Sequence, residues 1–320
     1  MQSVSREQID AALDWPRLIA ALSDAFSGSL VAPARHHHSV GAPGTDTATH
    51  LLMSAWSRAA PAAGTYLGTK IVNVFPHNHR HGLPAVMGQY LLQSGETGAS
   101  LAIMDGACLT HWRTAATSAL AAKFLARADA DHLLMVGAGS LAPALIAAHC
   151  SVRPIRKITL WNHRRENAEK MAAQLAGGGR EIHVAGELEA AVRQADIVSC
   201  ATLSRTPLVK GEWLPPGCHL DLVGAFSLTM RECDDAAVQR ARVYVDTPAA
   251  LDEGGDVALA LRSGAIAPGH VIADLAALCG GRAQGRSGAD EITLFKSIGA
   301  SIEDLAAAIV VWERLCRRDG

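Results

Sequence analysis

The chain has 320 residues, 49% hydrophobic and 19% charged, with a formal net charge of -2. That balance fits a packed globular protein, and the near-neutral charge argues against a general nucleic-acid binder, which needs a basic surface to neutralise phosphates. Seven cysteines are present with no Cys-x-x-Cys spacing, so neither a disulfide framework nor a zinc site is expected and a reducing cytoplasm is the natural compartment.

The N-terminal "MQSVSREQID" has no apolar signal region. Ser5 and Gln8 have capping-box spacing and open a helix. Arg35 precedes His36, His37 and His38. Three consecutive residues cannot easily place three imidazoles around one ion, and no acidic or cysteine cluster accompanies them, so no metal site is expected. Residues 66–105 predict strands: "TYLGTKIVNVFP" ends at Pro76, and "VMGQYLL" and "SLAIMD" form a hairpin across "QSGETGA". Asp105 can cap a long helix, "GACLTHWRTAATSALAAKFLAR".

From Asp131 the texture changes. Short apolar runs, "HLLMV", "KITLW", "EIHV", "DIVSC", "HLDLV" and "RVYV", alternate with helical segments. This is the α/β pattern of a parallel sheet with helices on both faces. The uncharged run from Leu133 to Cys150 is long enough to suggest a membrane helix. Gly137, Gly139 and Pro143 interrupt it, so a buried strand, a glycine turn and a helix explain it better, and no membrane segment is expected. "SIEDLAAAIVVWERLCRR" closes the chain as a capped helix with a basic last turn. The expected organisation is a substrate-binding domain, 1–126 with 297–320, and a dinucleotide-binding domain, 127–296.

Gly137, Gly139 and Ala142 form a G-x-G-x-x-A pattern after a strand and at the start of a helix, the context that gives this pattern meaning. Ser140 and Leu141 complete that candidate phosphate turn. After the next strand come Asn162, His163, Arg164 and Arg165, with no acid before Glu166. Arginine beside a 2′-phosphate is the NADP pattern, so NADP(H) is preferred over NAD(H), which remains possible. Thr202 and Val223, after later strands, are further cofactor candidates.

Three cations stand out in the first domain. Lys70 sits between apolar strand residues. Arg113 lies beside Trp112, Ala115 and Ala116, which look packed, so its charge needs a partner. Together with Arg35 they suggest a clamp for a carboxylate. No G-x-S-x-G hydrolase elbow is present. In "HLDLVGAF", Asp221 is read as a strand-end acid making a local hydrogen bond rather than as a catalytic group.

"GTKIVNVFP", "GETGASLAIMDGACLTHWRTAATSALAAKFLAR", "VGAGSLA", "LWNHRRENAEK", "DEGGDVALAL" and "ITLFKSIGASIEDLAAA" together resemble the ornithine cyclodeaminase/mu-crystallin family. The resemblance implies a Rossmann domain, a second α/β domain that makes a homodimer, a nicotinamide cofactor and a small α-imino or α-amino acid substrate. It also implies that Arg35, Lys70 and Arg113 bind the substrate carboxylate, that Lys70 could help protonate an imine nitrogen, and that Ser297 and Gly299 lie near the nicotinamide. Amine-oxidising members carry an aspartate just after the "VG" of this strand, where the chain has Phe226. Simple reduction of a preformed cyclic imine, Δ1-pyrroline-2-carboxylate or Δ1-piperideine-2-carboxylate, is then the leading expectation. Ornithine cyclodeamination or a related amino-acid dehydrogenation is the second, and a non-catalytic NADPH-binding protein the third.

Overall fold

Alternating apolar and polar residues early in the chain, and near-continuous apolar runs later, produce two different sheets, as half-buried antiparallel and fully covered parallel strands require. A computed structural model describes residues 1–41 and 48–316. The chain divides into two compact units, 1–113 with 300–320, and 114–299.

The first unit begins with β1 (Gln2–Val4), α1 (Arg6–Ala12) and α2 (Trp15–Asp24). The Ser5 hydroxyl accepts from the Gln8 amide and Gln8 Oε1 accepts from the Ser5 amide, so the expected capping box is present. Then come β2 (Leu30–Val31), β3 (His36–Val40), β4 (Ala48–Ser57), β5 (Tyr66–Val74), β6 (Val86–Ser94) and β7 (Ser100–Asp105). The sheet order is β1-β7-β6-β5-β4-β2, with β3 also on β4, and all pairs but β1–β7 are antiparallel. Strand β5 is central, so Lys70 lies between Met53 of β4 and Tyr90 of β6.

Helix α3 (Gly106–Leu125) follows. Asp105 Oδ1 accepts from the amides of Ala107 and Cys108, each at 2.9 Å, satisfying two donors that the first helical turn leaves open. The boundary expected from sequence, near residue 127, lies just past the end of this helix. The compact units divide within it, after Arg113.

The second unit holds β8 (His132–Val136), α4 (Ala142–Val152), β9 (Lys157–Trp161), α5 (Arg165–Leu175), β10 (Glu181–Val184), α6 (Leu188–Val192), β11 (Ile197–Cys200) and β12 (His219–Leu222). It continues with α7 (Asp235–Arg240), β13 (Arg242–Val245), α8 (Ala250–Glu253), α9 (Gly255–Arg262), β14 (Val271–Asp274), α10 (Leu275–Cys279) and β15 (Thr293–Lys296). All eight strands are parallel, in the order β10-β9-β8-β11-β12-β15-β13-β14. The first five follow the doubly wound 3-2-1-4-5 order, with the switch in direction between β8 and β11. The residues from Leu133 to Cys150 are the end of β8, the glycine turn and α4. Among the described residues no helix is long and apolar enough to cross a membrane.

Helix α11 (Ser301–Cys316) belongs to the first unit and packs on α2, β4, β5 and β6. Leu305 and Val311 on this helix are fully buried, each worth about 1.5–3 kcal/mol of apolar burial. Arg317 and Arg318, expected as its basic last turn, lie outside the described residues.

Candidate active site

In the first unit, β5, α3 and α11 bring four charged side chains together, each almost fully buried. Lys70 Nζ lies 2.9 Å from Asp304 Oδ1 and 2.8 Å from Oδ2. The second contact is an ion pair rather than a hydrogen bond. Arg113 donates from Nε to Asp304 Oδ1 at 3.1 Å and from Nη1 to Glu303 Oε2 at 2.7 Å. Lys70 also reaches the Thr110 hydroxyl at 3.4 Å. Burial first, then the Arg113 charge, pulls the Lys70 ammonium down to about 8, against the opposing pull of Asp304 and Glu303.

Two cations and two carboxylates balance formally, which is what makes their burial tolerable. Arg113 thus has the partners its packed surroundings demand. Glu303 and Asp304 are not singled out by the sequence, which offers only a capped helix there. Their signal is the burial of the apolar residues around them, which composition alone does not reveal. Tyr90, opposite Lys70 in the sheet, is fully buried, and a Cβ at Gly68 would fall 2.3 Å from its hydroxyl. Gly68 is therefore glycine to admit the Tyr90 ring.

Arg35 lies half-buried in the loop just before β3. His36, His37 and His38 are exposed along β3, with the His38 and His50 ring centroids 6.3 Å apart. Among the described residues no group of three or more His, Cys, Asp or Glu is arranged to hold a metal ion.

In the second unit, the turn after β8 has the form that a dinucleotide needs. Gly137 has φ 108°, and a Cβ there would lie 2.6 Å from the Ala201 carbonyl oxygen, so only glycine fits. Around Gly139 a Cβ would meet nothing of the protein within 4 Å. No packing explains that glycine, and the open space beside it leaves room for a phosphate to approach the backbone closely. Ser140 and Leu141 continue the turn into α4, and Ala142 is buried against the sheet. The turn is pinned from β9: Asn162 Oδ1 accepts from the Ala138 amide at 3.2 Å while its Nδ2 donates to the Arg164 carbonyl at 2.9 Å. His163, Arg164 and Arg165 are exposed beside it. Arg165 is tied to Glu169 at 2.7 Å across one helical turn, an exposed pair of little strength.

Ser297 and Gly299 follow β15. Asp246, at the end of β13, accepts at one oxygen from the Ser297 hydroxyl (3.2 Å) and the amides of Ile298 and Gly299 (2.7 Å each). Gly299 has φ 82°. Burial raises the Asp246 carboxyl despite these bonds. Asp246 is a third residue that sequence reasoning missed: an acid directly after an apolar strand is its only mark. Val223 is buried at the end of β12, and Thr202 follows β11 with both its amide and hydroxyl donated to Glu232.

Asp221 requires a correction. It is fully buried within β12 and accepts from Ser118 (2.9 Å), Ser199 (2.7 Å) and His149 Nε2 (3.2 Å). These partners lie on α3, β11 and α4, so the bonds are long-range rather than local. Phe226 is 45% exposed, past the strand end.

The model of the family described as ornithine cyclodeaminase/mu-crystallin matches residues 51–319. A Δ1-pyrroline-2-carboxylate reductase of Colwellia psychrerythraea is 35% identical over 320 residues, 98% of this chain and 99% of its own. The solved structure of a Δ1-pyrroline-2-carboxylate reductase from Thermococcus litoralis, in complex with NADH and L-proline, is similar with a TM-score of 0.92 at 33% identity, covering 100% of this chain and 98% of that one. An archaeal alanine dehydrogenase dimer with bound NAD gives a TM-score of 0.91 at 29% identity, covering 100% and 97%.

Proposed function

This chain belongs to the ornithine cyclodeaminase/mu-crystallin family, and from that premise we propose that it reduces a cyclic ketimine, Δ1-pyrroline-2-carboxylate or Δ1-piperideine-2-carboxylate, to L-proline or L-pipecolate with NADPH. The proposal rests on the end-to-end likeness to a Δ1-pyrroline-2-carboxylate reductase. The absence of an acid at Phe226 supports it. Amine oxidation with ring closure needs a carboxylate near the reacting nitrogen to manage protons, whereas a preformed imine is already basic.

Arg113 presents a planar fork suited to a carboxylate, and Lys70 a compact ammonium. Both would hold the substrate carboxylate, with Arg35 a third contributor, and Lys70 would also give a proton to the imine nitrogen. Glu303 and Asp304 hold these cations in place, so less side-chain freedom would be lost when substrate binds. Gly137, Gly139, Ser140 and Leu141 would take the pyrophosphate at the N-terminus of α4. Asn162, His163, Arg164 and Arg165 would take the adenosine ribose, and Thr202, Val223, Ser297 and Gly299 the nicotinamide end. A bound nicotinamide dinucleotide supplies a hydride to the carbon beside the carboxylate. A homodimer in the cytoplasm is part of the same proposal, in keeping with the dimeric archaeal neighbour and with seven cysteines that show no Cys-x-x-Cys spacing.

Purified protein is expected to oxidise NADPH only when a cyclic imine is added, as read by absorbance, and to release no ammonia from ornithine with NAD. Ammonia release without imine reduction would move the assignment to cyclodeamination. Reductive amination of pyruvate alone would move it to amino-acid dehydrogenation. Cofactor choice has its own test. Arg164→Ala and Arg165→Ala should each weaken NADPH binding about tenfold, the scale of a lost charge-assisted hydrogen bond, and leave NADH nearly unchanged. Equal losses for the two cofactors in fluorescence titration would refute the NADPH preference.

A further inference from the structure

Glu232 lies between β12 and α7 and is fully buried. Four donors converge on its carboxylate. The Thr202 amide and hydroxyl reach Oε1 at 2.7 and 2.8 Å, and the amides of Gly224 and Ala225 reach Oε2 at 2.7 and 3.2 Å. Thr202 belongs to the loop after β11, and Gly224 and Ala225 to the loop after β12. These strands are adjacent and parallel, and β8, which carries the glycine turn, flanks β11 on its other side. All three loops therefore leave the sheet at its carboxyl edge, the edge at which open α/β sheets bind ligands.

The closeness of the two loops explains Gly224. A Cβ there would lie 2.1 Å from the Thr202 carbonyl oxygen and 2.4 Å from Glu232 Oε1. Glu232 is itself held by its backbone. Its amide and that of Cys233 donate to Asp256 Oδ1 at 2.7 and 3.0 Å, and Lys296 Nζ stands 3.1 Å from Asp256 Oδ2. Three of the four donors to the side chain are amides, which can only donate. The clasp is thus built for a carboxylate. Burial, with the charge of Asp256, pushes Glu232 up to about 7 against the pull of Lys296 and Thr202. A group that burial disfavours in this way, yet that accepts four bonds from two loops, is doing more than filling space.

We propose that Glu232 is a positioning residue of the dinucleotide site, clasping the loops after β11 and β12 at the spacing in which their backbone meets the cofactor. The proposal rests on the dinucleotide reading above. Glu232 reaches a bound molecule only through Thr202, Gly224 and Ala225.

The test compares Glu232→Gln with Val243→Ala, a core truncation in β13 that lowers stability without touching these loops. Glutamine keeps the size but turns an amide group toward amide donors on one loop or the other. Glu232→Gln should raise the Kd for NADPH about tenfold, the scale of one or two lost bonds to a charged acceptor. The KM for the imine should stay within about twofold, and Val243→Ala should leave both constants unchanged at a similar fall in Tm. Should Glu232→Gln fail to fold, Glu232→Asp keeps the charge but cannot span both loops, and must show the same NADPH-selective defect at about threefold. A lowered Tm with unchanged NADPH affinity, or an equal rise in both constants, overturns the clasp. A wild-type protein that binds neither NADPH nor NADH overturns the dinucleotide reading instead.

Discussion

Replacing Lys70 by Met is expected to lower kcat/KM for ketimine reduction about a thousandfold, the combined scale of a lost proton donor and a loosened substrate. The loss has two origins. The substrate carboxylate would lose one of its cations, and the imine nitrogen its nearest proton source. The substitution also leaves Asp304 with a buried charge answered, among the described residues, by Arg113 Nε at 3.1 Å alone, so a fall in stability of about 3 kcal/mol accompanies it. The double change Lys70→Met with Asp304→Leu separates the two. It should recover much of the Tm but none of the turnover, as measured by thermal melting and NADPH oxidation. Recovery of turnover would remove Lys70 from the chemistry. The pH profile carries an independent sign. Burial and Arg113 pull Lys70 down to about 8. Only the ammonium form donates a proton, so wild-type kcat/KM should be level below that pH and fall as pH rises through it. A rate that rises there would mean that Lys70 acts as a base.

Asp221→Ala is expected to cost about 3–5 kcal/mol of stability and to leave turnover of the folded protein within about threefold at low temperature. The carboxylate removed accepts from Ser118, Ser199 and His149, none of which has water at hand to replace it. Chemical denaturation gives the first quantity and the imine assay the second; a large kinetic loss with unchanged stability would make the acid catalytic. Burial alone would raise the Asp221 carboxyl, but the hydrogen bond and charge of His149, then His219 and Ser199, hold it below its ordinary value. A carboxyl depressed in the folded state stabilises above its unfolded pKa and loses that contribution as pH falls through its folded one. The gap between wild type and Asp221→Ala should therefore be constant above about pH 5 and narrow below about pH 4.

Legibility followed the range of the interaction. The capping box at Ser5, the Asp105 cap, the β8–turn–α4 unit and six of the parallel strands each depend on neighbours within a few residues, and sequence was enough to find them. Strand β15 carries no clear strand signal in the sequence, although it lies between β12 and β13 in the sheet. Its four residues end at a lysine, and only pairing on both sides makes them a strand. Asp221 misled for the same reason. Its partners are 22, 72 and 103 residues away, so a nearby hydrogen bond was the only one that could be imagined for it.

The sequence by itself determined the alternating α/β texture, the glycine turn with the arginines after the next strand, and the identity of Lys70 and Arg113 as cations out of place among apolar neighbours. Those features are local, set by backbone sterics and by periodicity. Tertiary structure alone decided what the charges do. It set Glu303 and Asp304 against Lys70 and Arg113, from 190 and more residues away. It also made Glu232 the point at which two loops are tied. An ionisable side chain looks the same in a sequence whether solvated or buried. Desolvation and the company of specific donors give it a role, and both come into being only when the strands take their order.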